Sequence, residues 1–154
     1  MSTLYIASCH GHVEIIKLLL NNKAVPNKCW VGESPLYIAS RHGRTEIVKL
    51  LLNNKADPNI CFAGESPLYI ATCHGHVEII KLLLNNKADP NICFAGESPL
   101  YIAYCHGHAE IVELLLNNKS VPTICCVGEY PYYIASRHGH AAMVKLLLKN
   151  NVYS

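Results

Sequence analysis

Residues 64–91 read GESPLYIATCHGHVEIIKLLLNNKADPN, and the local chemistry of this stretch fixes two short helices. Ser66 followed by Pro67 is a helix start: a hydroxyl caps the first free N–H groups, and proline's missing N–H costs nothing at the first helical position. Leu68, Ile70 and Ala71 form the apolar side of that helix. Gly75 ends it by supplying the left-handed backbone a tight turn requires. Val77, Ile79, Ile80, Leu82 and Leu83 then recur at helical spacing, with Glu78 and Lys81 on the wetter side, which predicts a second helix over residues 77–86. Asp89-Pro90-Asn91 breaks it. Ile92-Cys93-Phe94-Ala95-Gly96 is expected to form an extended, turn-containing connector.

The stretch is one copy of a repeat. Ser34-Pro35-Leu36-Tyr37-Ile38-Ala39 recurs 32 residues on from Ser66 and again from Ser98, and more loosely from Ser2 and Tyr130. Residues 86–103 repeat 54–71 without a change. A period of this size means stacked supersecondary units. The expected domain is 1–154, divided into five units near 2–33, 34–65, 66–97, 98–129 and a truncated 130–154. No unit can bury both of its helices alone, so neighbours stack about 8–10 Å apart.

Composition narrows the function. Thirteen basic and 11 acidic residues give a formal charge of +2, without a run of like charge to serve as a footprint for nucleic acid. Polar residues interrupt every leucine run well short of the roughly 18 residues a membrane span needs. MSTLYIASCHGH at the N-terminus lacks a secretory pattern, and the expected setting is intracellular, in the cytoplasm. The eight cysteines sit in a chain rich in Leu, Ile and Val, so reduced thiols are expected rather than a disulfide scaffold. A monomer is expected.

The pattern G-E-S-P-L-Y-I-A-x-x-H-G-H-x-E-I-x-K-L-L-L-N-N-K-A-D-P-N resembles the ankyrin repeat over essentially the whole chain. The resemblance implies an all-α solenoid of helix-turn-helix units with protruding hairpin fingers, binding other proteins along a concave surface of fingers and first helices. Three departures stand out. Tyr5, Tyr37, Tyr69, Tyr101 and Tyr133 occupy the family's usual His position, so the hydrogen bonds of that side chain are made differently or lost. Lys23, Lys55, Lys87 and Lys119 replace the helix-ending Gly, which either places lysine in a left-handed conformation or shifts the turn. The first and last units keep apolar residues such as Leu4, Leu18, Leu146 and Leu147 where terminal caps are polar, which leaves room for a longer array or a spacer role.

Candidate sites follow from the register. CHGH at Cys9, Cys73 and Cys105 becomes RHGR at Arg41 and RHGH at Arg137, so three potential ligands per unit do not make an obligatory metal site. Zinc wants four converging ligands. Cysteines 32 apart at 29, 61, 93 and 125 are too far apart in such a stack for a ladder of disulfides. A metal- or redox-responsive protein remains the alternative class; no cofactor and no catalytic residue is expected. At the finger tips Trp30, Phe62, Phe94 and Cys126 are equivalent, either packing on neighbouring fingers or forming an apolar strip with aromatic anchors for a protein partner. By resemblance, Arg41, His42, His74, His106, Arg137 and His138, with Tyr104 nearby, face the concave surface. That groove suits an apolar segment with acidic flanks, bound more tightly as pH falls towards about 6, where His gains charge.

Overall fold

The computed structural model describes residues 2–121 and 130–152. They form five helix pairs: α1 (Thr3–His10) with α2 (Val13–Asn21), α3 (Pro35–Arg41) with α4 (Thr45–Asn53), α5 (Pro67–Cys73) with α6 (Val77–Asn85), α7 (Pro99–His106) with α8 (Ala109–Asn117), and α9 (Pro131–Arg137) with α10 (Ala141–Lys149). The first helices pack in sequence as one layer, α1 on α3, α3 on α5, α5 on α7 and α7 on α9. The second helices form the other layer, α2 on α4 through to α8 on α10. The core runs unbroken between them, from Leu4 and Ile16 through Leu51, Leu68, Ile79, Leu83 and Leu100 to Ile134 and Leu147.

The local signals act as expected at the first-helix starts. The hydroxyls of Ser34, Ser66 and Ser98 accept from the backbone N–H of Tyr37, Tyr69 and Tyr101, each at 3.0 Å, and proline follows at each first helical position. Tyr130 takes the capping place before α9 without a side-chain hydrogen bond.

The lysine question resolves to the left-handed backbone: Lys23, Lys55, Lys87 and Lys119 have φ of 63–67°. The turn keeps the glycine pattern. Lys87 N–H donates to the Leu84 carbonyl at 3.1 Å and Ala88 N–H to the Leu83 carbonyl at 3.0 Å, the paired bonds of a Schellman ending. Asn86 Nδ2 closes the Leu82 carbonyl at 2.8 Å, and buried Ala88 packs into the core. These bonds hold a side-chain-bearing residue where glycine is preferred. Lys87→Gly is therefore expected to raise stability by about 0.5–1 kcal/mol, the relief of left-handed strain exceeding glycine's entropy cost. Equilibrium denaturation of the single variant measures it.

The finger is a minimal hairpin. Trp30 pairs with Glu33, Phe62 with Glu65 and Phe94 with Glu97 as single antiparallel bridges, closed by Val31-Gly32, Ala63-Gly64 and Ala95-Gly96 with φ positive at both positions. That geometry matches the right-handed twist of the flanking backbone. Asparagines tie one finger base to the next: Asn59 Oδ1 accepts from Asp89 N–H at 2.8 Å, and Asn59 Nδ2 donates to the Lys87 carbonyl at 3.3 Å.

Candidate functional site

Each first helix ends just before a left-handed glycine, which lifts the last residues of the helix out of the stack. Arg41, His42, His74, His106, Arg137 and His138 all lie exposed there, one or two per unit. The expected Arg and His positions thus recur, exposed, at the ends of successive first helices. Arg137 lies over the Tyr133 ring, 5.6 Å from its centre, a cation–π arrangement. Cys9 Sγ and His42 Nε2, from adjacent units, are 3.9 Å apart.

The two histidines of each HGH do different work. The one before glycine points outward. The one after it packs onto the preceding unit, where a Cβ on Gly43 would meet the His76 ring at 2.8 Å and a Cβ on Gly107 the His140 ring at 2.7 Å. His76 Nε2 lies 3.3 Å from the Arg41 carbonyl, and His140 Nε2 the same distance from that of Cys105. Arg44 takes this place over Gly11. Sequence reading singled out the outer histidines and missed these staples, whose one signal is a histidine directly after four of the five inter-helix glycines, with Arg44 after the fifth. The rings of each pair stack, with centres 5.9 Å apart for His10 and His12 and 5.7 Å for His74 and His76.

Burial pushes the His42 imidazole below the ordinary histidine value, and the charges of Arg41 and Arg44 push it the same way. His74 is lowered by burial first and then by His76 and Arg41. Both outward histidines are thereby held more neutral than free histidine.

The finger aromatics turn inward. Trp30 lies against Tyr5, Phe62 against Tyr37 and Phe94 against Tyr69, with ring centres 5.1, 5.4 and 5.5 Å apart. Phe94 also covers Gly64 of the preceding finger, where a Cβ would meet its ring at 3.2 Å. Phe62 and Phe94 are half-buried, and Trp30 is the exposed member of the row at 36%. Cys126 lies outside the described residues. The tyrosines replace the family's histidine bond with another one: Tyr5, Tyr37 and Tyr69 hydroxyls donate to Glu33, Glu65 and Glu97 at the base of the next finger. Burial, then the carboxylate partner, raises the Tyr5 phenol to about 12.

Tyr104 is corrected. It is fully buried and is no part of the exposed face. Its equivalents Ser8 and Thr72 are also buried, donating to the Leu4 and Leu68 carbonyls at 2.7 and 2.8 Å, so a position that looks polar in sequence is a core slot.

Cys9, Cys29, Cys61 and Cys73 are free thiols. Cys93 departs from the expected reduced state, being disulfide-bonded. Its equivalent Cys61 is free, so the bridge is not a rung of a repeated ladder. Burial, then the charge of Glu65, pushes the Cys73 thiol up to about 11, which suppresses the thiolate that metal binding or nucleophilic attack needs. Among the described residues, no group of three or more His, Cys, Asp or Glu side chains is placed to hold a metal ion. Among the same residues, no helix is long and apolar enough to cross a membrane.

No curated protein matches the chain. The family model for ankyrin repeats (3 copies) matches residues 1–62 and again 54–125, and that for the single ankyrin repeat matches residues 127–153. With paired helices in two layers, a glycine turn inside each pair and a short finger between pairs, the chain belongs to the ankyrin repeat family.

Proposed function

We propose that this chain is a non-catalytic, intracellular protein-binding module whose five units act as one domain through the face made by the fingers and the first-helix ends. Ankyrin repeats are generally protein–protein interaction modules. The observation that carries the reading is the exposed row of Arg41, His42, His74, His106, Arg137 and His138, two adjacent positions of the repeat recurring along the stack, beside the exposed edge of Trp30. A row of donors and cations with an aromatic anchor at one end suits a peptide segment that carries carboxylates and one large apolar side chain.

Peptides selected from a random display library against the intact chain test this. They are expected to be enriched in Asp and Glu, and to lose about tenfold or more in affinity for an Arg41→Glu, Arg137→Glu variant. Lys49→Glu, on an exposed position of the opposite layer, is expected to leave affinity within about twofold. Peptides indifferent to the arginine reversals would sink the proposed surface.

The pH dependence has a definite sign. A carboxylate facing His42 or His74 raises the histidine pKa in the complex, so the added affinity is fully present below the free-state pKa and is lost as pH rises through the bound-state pKa. Because burial and neighbouring charge lower the free-state values, the gain becomes complete only below the ordinary histidine value of about 6.5. Titration calorimetry of one selected peptide between pH 8 and pH 5.5 follows it, and constant affinity throughout removes the histidines from the site.

A further inference from the structure

The finger bases add a second track of charge beside the exposed arginines and histidines. The hydroxyls of Tyr5, Tyr37 and Tyr69 donate to Oε2 of Glu33, Glu65 and Glu97, three half-buried residues at one position of the repeat. Among the described residues, the tyrosine is the one hydrogen-bond partner of each carboxylate, and none of the three is in an ion pair. Oε1 of each is left to a donor from outside the chain.

The two tracks run close together. Tyr5 and Cys9 are four residues apart on α1, one turn and about 6 Å along the same side. Tyr5 bonds Glu33, and Cys9 Sγ meets His42 Nε2 at 3.9 Å, so carboxylate and imidazole lie roughly one helical turn apart. The charge of Glu33 acts on His42 and that of Glu65 on His74, the same pairing one unit on.

Spacing selects the backbone of a ligand that reads both tracks. Helix α3 packs on α5 and α5 on α7, each about 8–10 Å from the next. A polyproline II segment brings one face round every third residue, about 9.3 Å along. A β-strand repeats a face every second residue at about 6.7 Å, and an α-helix every seventh at about 10.5 Å; both fall outside the interval.

We propose, resting on the protein-binding reading above, that the partner is a polyproline II peptide of three-residue period with one basic and one acidic side chain in each triplet. The basic side chains meet Glu33, Glu65 and Glu97, where a guanidinium makes a charge-assisted hydrogen bond. The acidic ones meet Arg41, His42, His74 and His106. Successive faces of such a helix are about 120° apart, so one faces each track whichever way the peptide runs. Residues 86–103 repeat 54–71 without a change, so Glu65 and Glu97 offer a repeated motif the same contact at each step.

Titration calorimetry on the intact chain with two synthetic peptides tests it: four Pro-Arg-Glu triplets, and a shuffled sequence of the same composition without the three-residue period. The triplet peptide is expected to bind at least about tenfold more tightly than the shuffled one. A Glu65→Gln, Glu97→Gln variant keeps a carbonyl acceptor for each tyrosine and removes both charges, and it is expected to bind the triplet peptide about tenfold more weakly than the parent. Circular dichroism checks the fold of the variant, and the comparison of the two peptides on the parent needs no variant. Equal affinity for the two peptides, binding of neither, or a triplet peptide indifferent to the glutamine changes overturns the proposal. In each of these cases, display-selected peptides that still need Arg41 leave the protein-binding face standing, whereas selected peptides indifferent to Arg41 remove both.

Discussion

Tyr37→Ala is expected to lower folding stability by about 3–5 kcal/mol, the cost of emptying a large aromatic site in a packed core. Tyr37 is 1% exposed, its ring meets Phe62, and its hydroxyl donates to Glu65, so truncation also loosens the finger. Tyr37→Phe keeps the ring and forfeits only the hydroxyl bond, about 0.5–1.5 kcal/mol. The same truncation at Tyr133, 56% exposed, is expected to cost less than about 1 kcal/mol because little buried area is lost. Urea denaturation of the three variants gives the comparison. Equal losses at Tyr37 and Tyr133 would contradict the view that each tyrosine is locked by the following finger.

The second large effect concerns the inter-helix glycines, and it isolates the histidine staple. Gly107 and Gly139 have nearly the same backbone, φ of 71° and 72°. Both pay about 1–2 kcal/mol for a Cβ in the left-handed region on substitution by alanine. At Gly139 a Cβ has nothing within 4 Å among the described residues, whereas at Gly107 it strikes the His140 ring at 2.7 Å. Gly107→Ala must also move that ring off the Cys105 carbonyl, and is expected to cost about 1–2 kcal/mol more than Gly139→Ala. If the two substitutions cost the same, the histidine after glycine contributes nothing to stacking.

Helix starts, the glycine turn and the stacked architecture were legible from Ser66-Pro67, Gly75 and the 32-residue recurrence, because capping and left-handed turns are local chemistry that a repeat states several times over. The site was legible only in outline. Arg41, His42, His74, His106, Arg137 and His138 lie exposed at the ends of the first helices. What one copy of the repeat cannot show is contact between copies. Whether Phe62 faces a partner or Tyr37, and whether Tyr104 replaces a surface serine or a buried one, depends on groups 25 or more residues away in the chain. The two histidines of His74-Gly75-His76 look alike in sequence and differ because only the second meets the preceding unit at Gly43. Lys87 could not be placed from sequence because the Schellman bonds holding it left-handed normally select glycine.

The central claim is that binding takes place on the face of fingers and first-helix ends. Chemical-shift mapping of the isotope-labelled chain with one display-selected acidic peptide tests it most directly. The account predicts the largest shifts at Trp30, Arg41, His42, His74 and His106, with the exposed side of the second helices, such as Glu46, Lys49 and Glu78, unmoved. Shifts concentrated on those second helices, or confined to Ile15, Leu18 and Leu148 at the two ends, would contradict it.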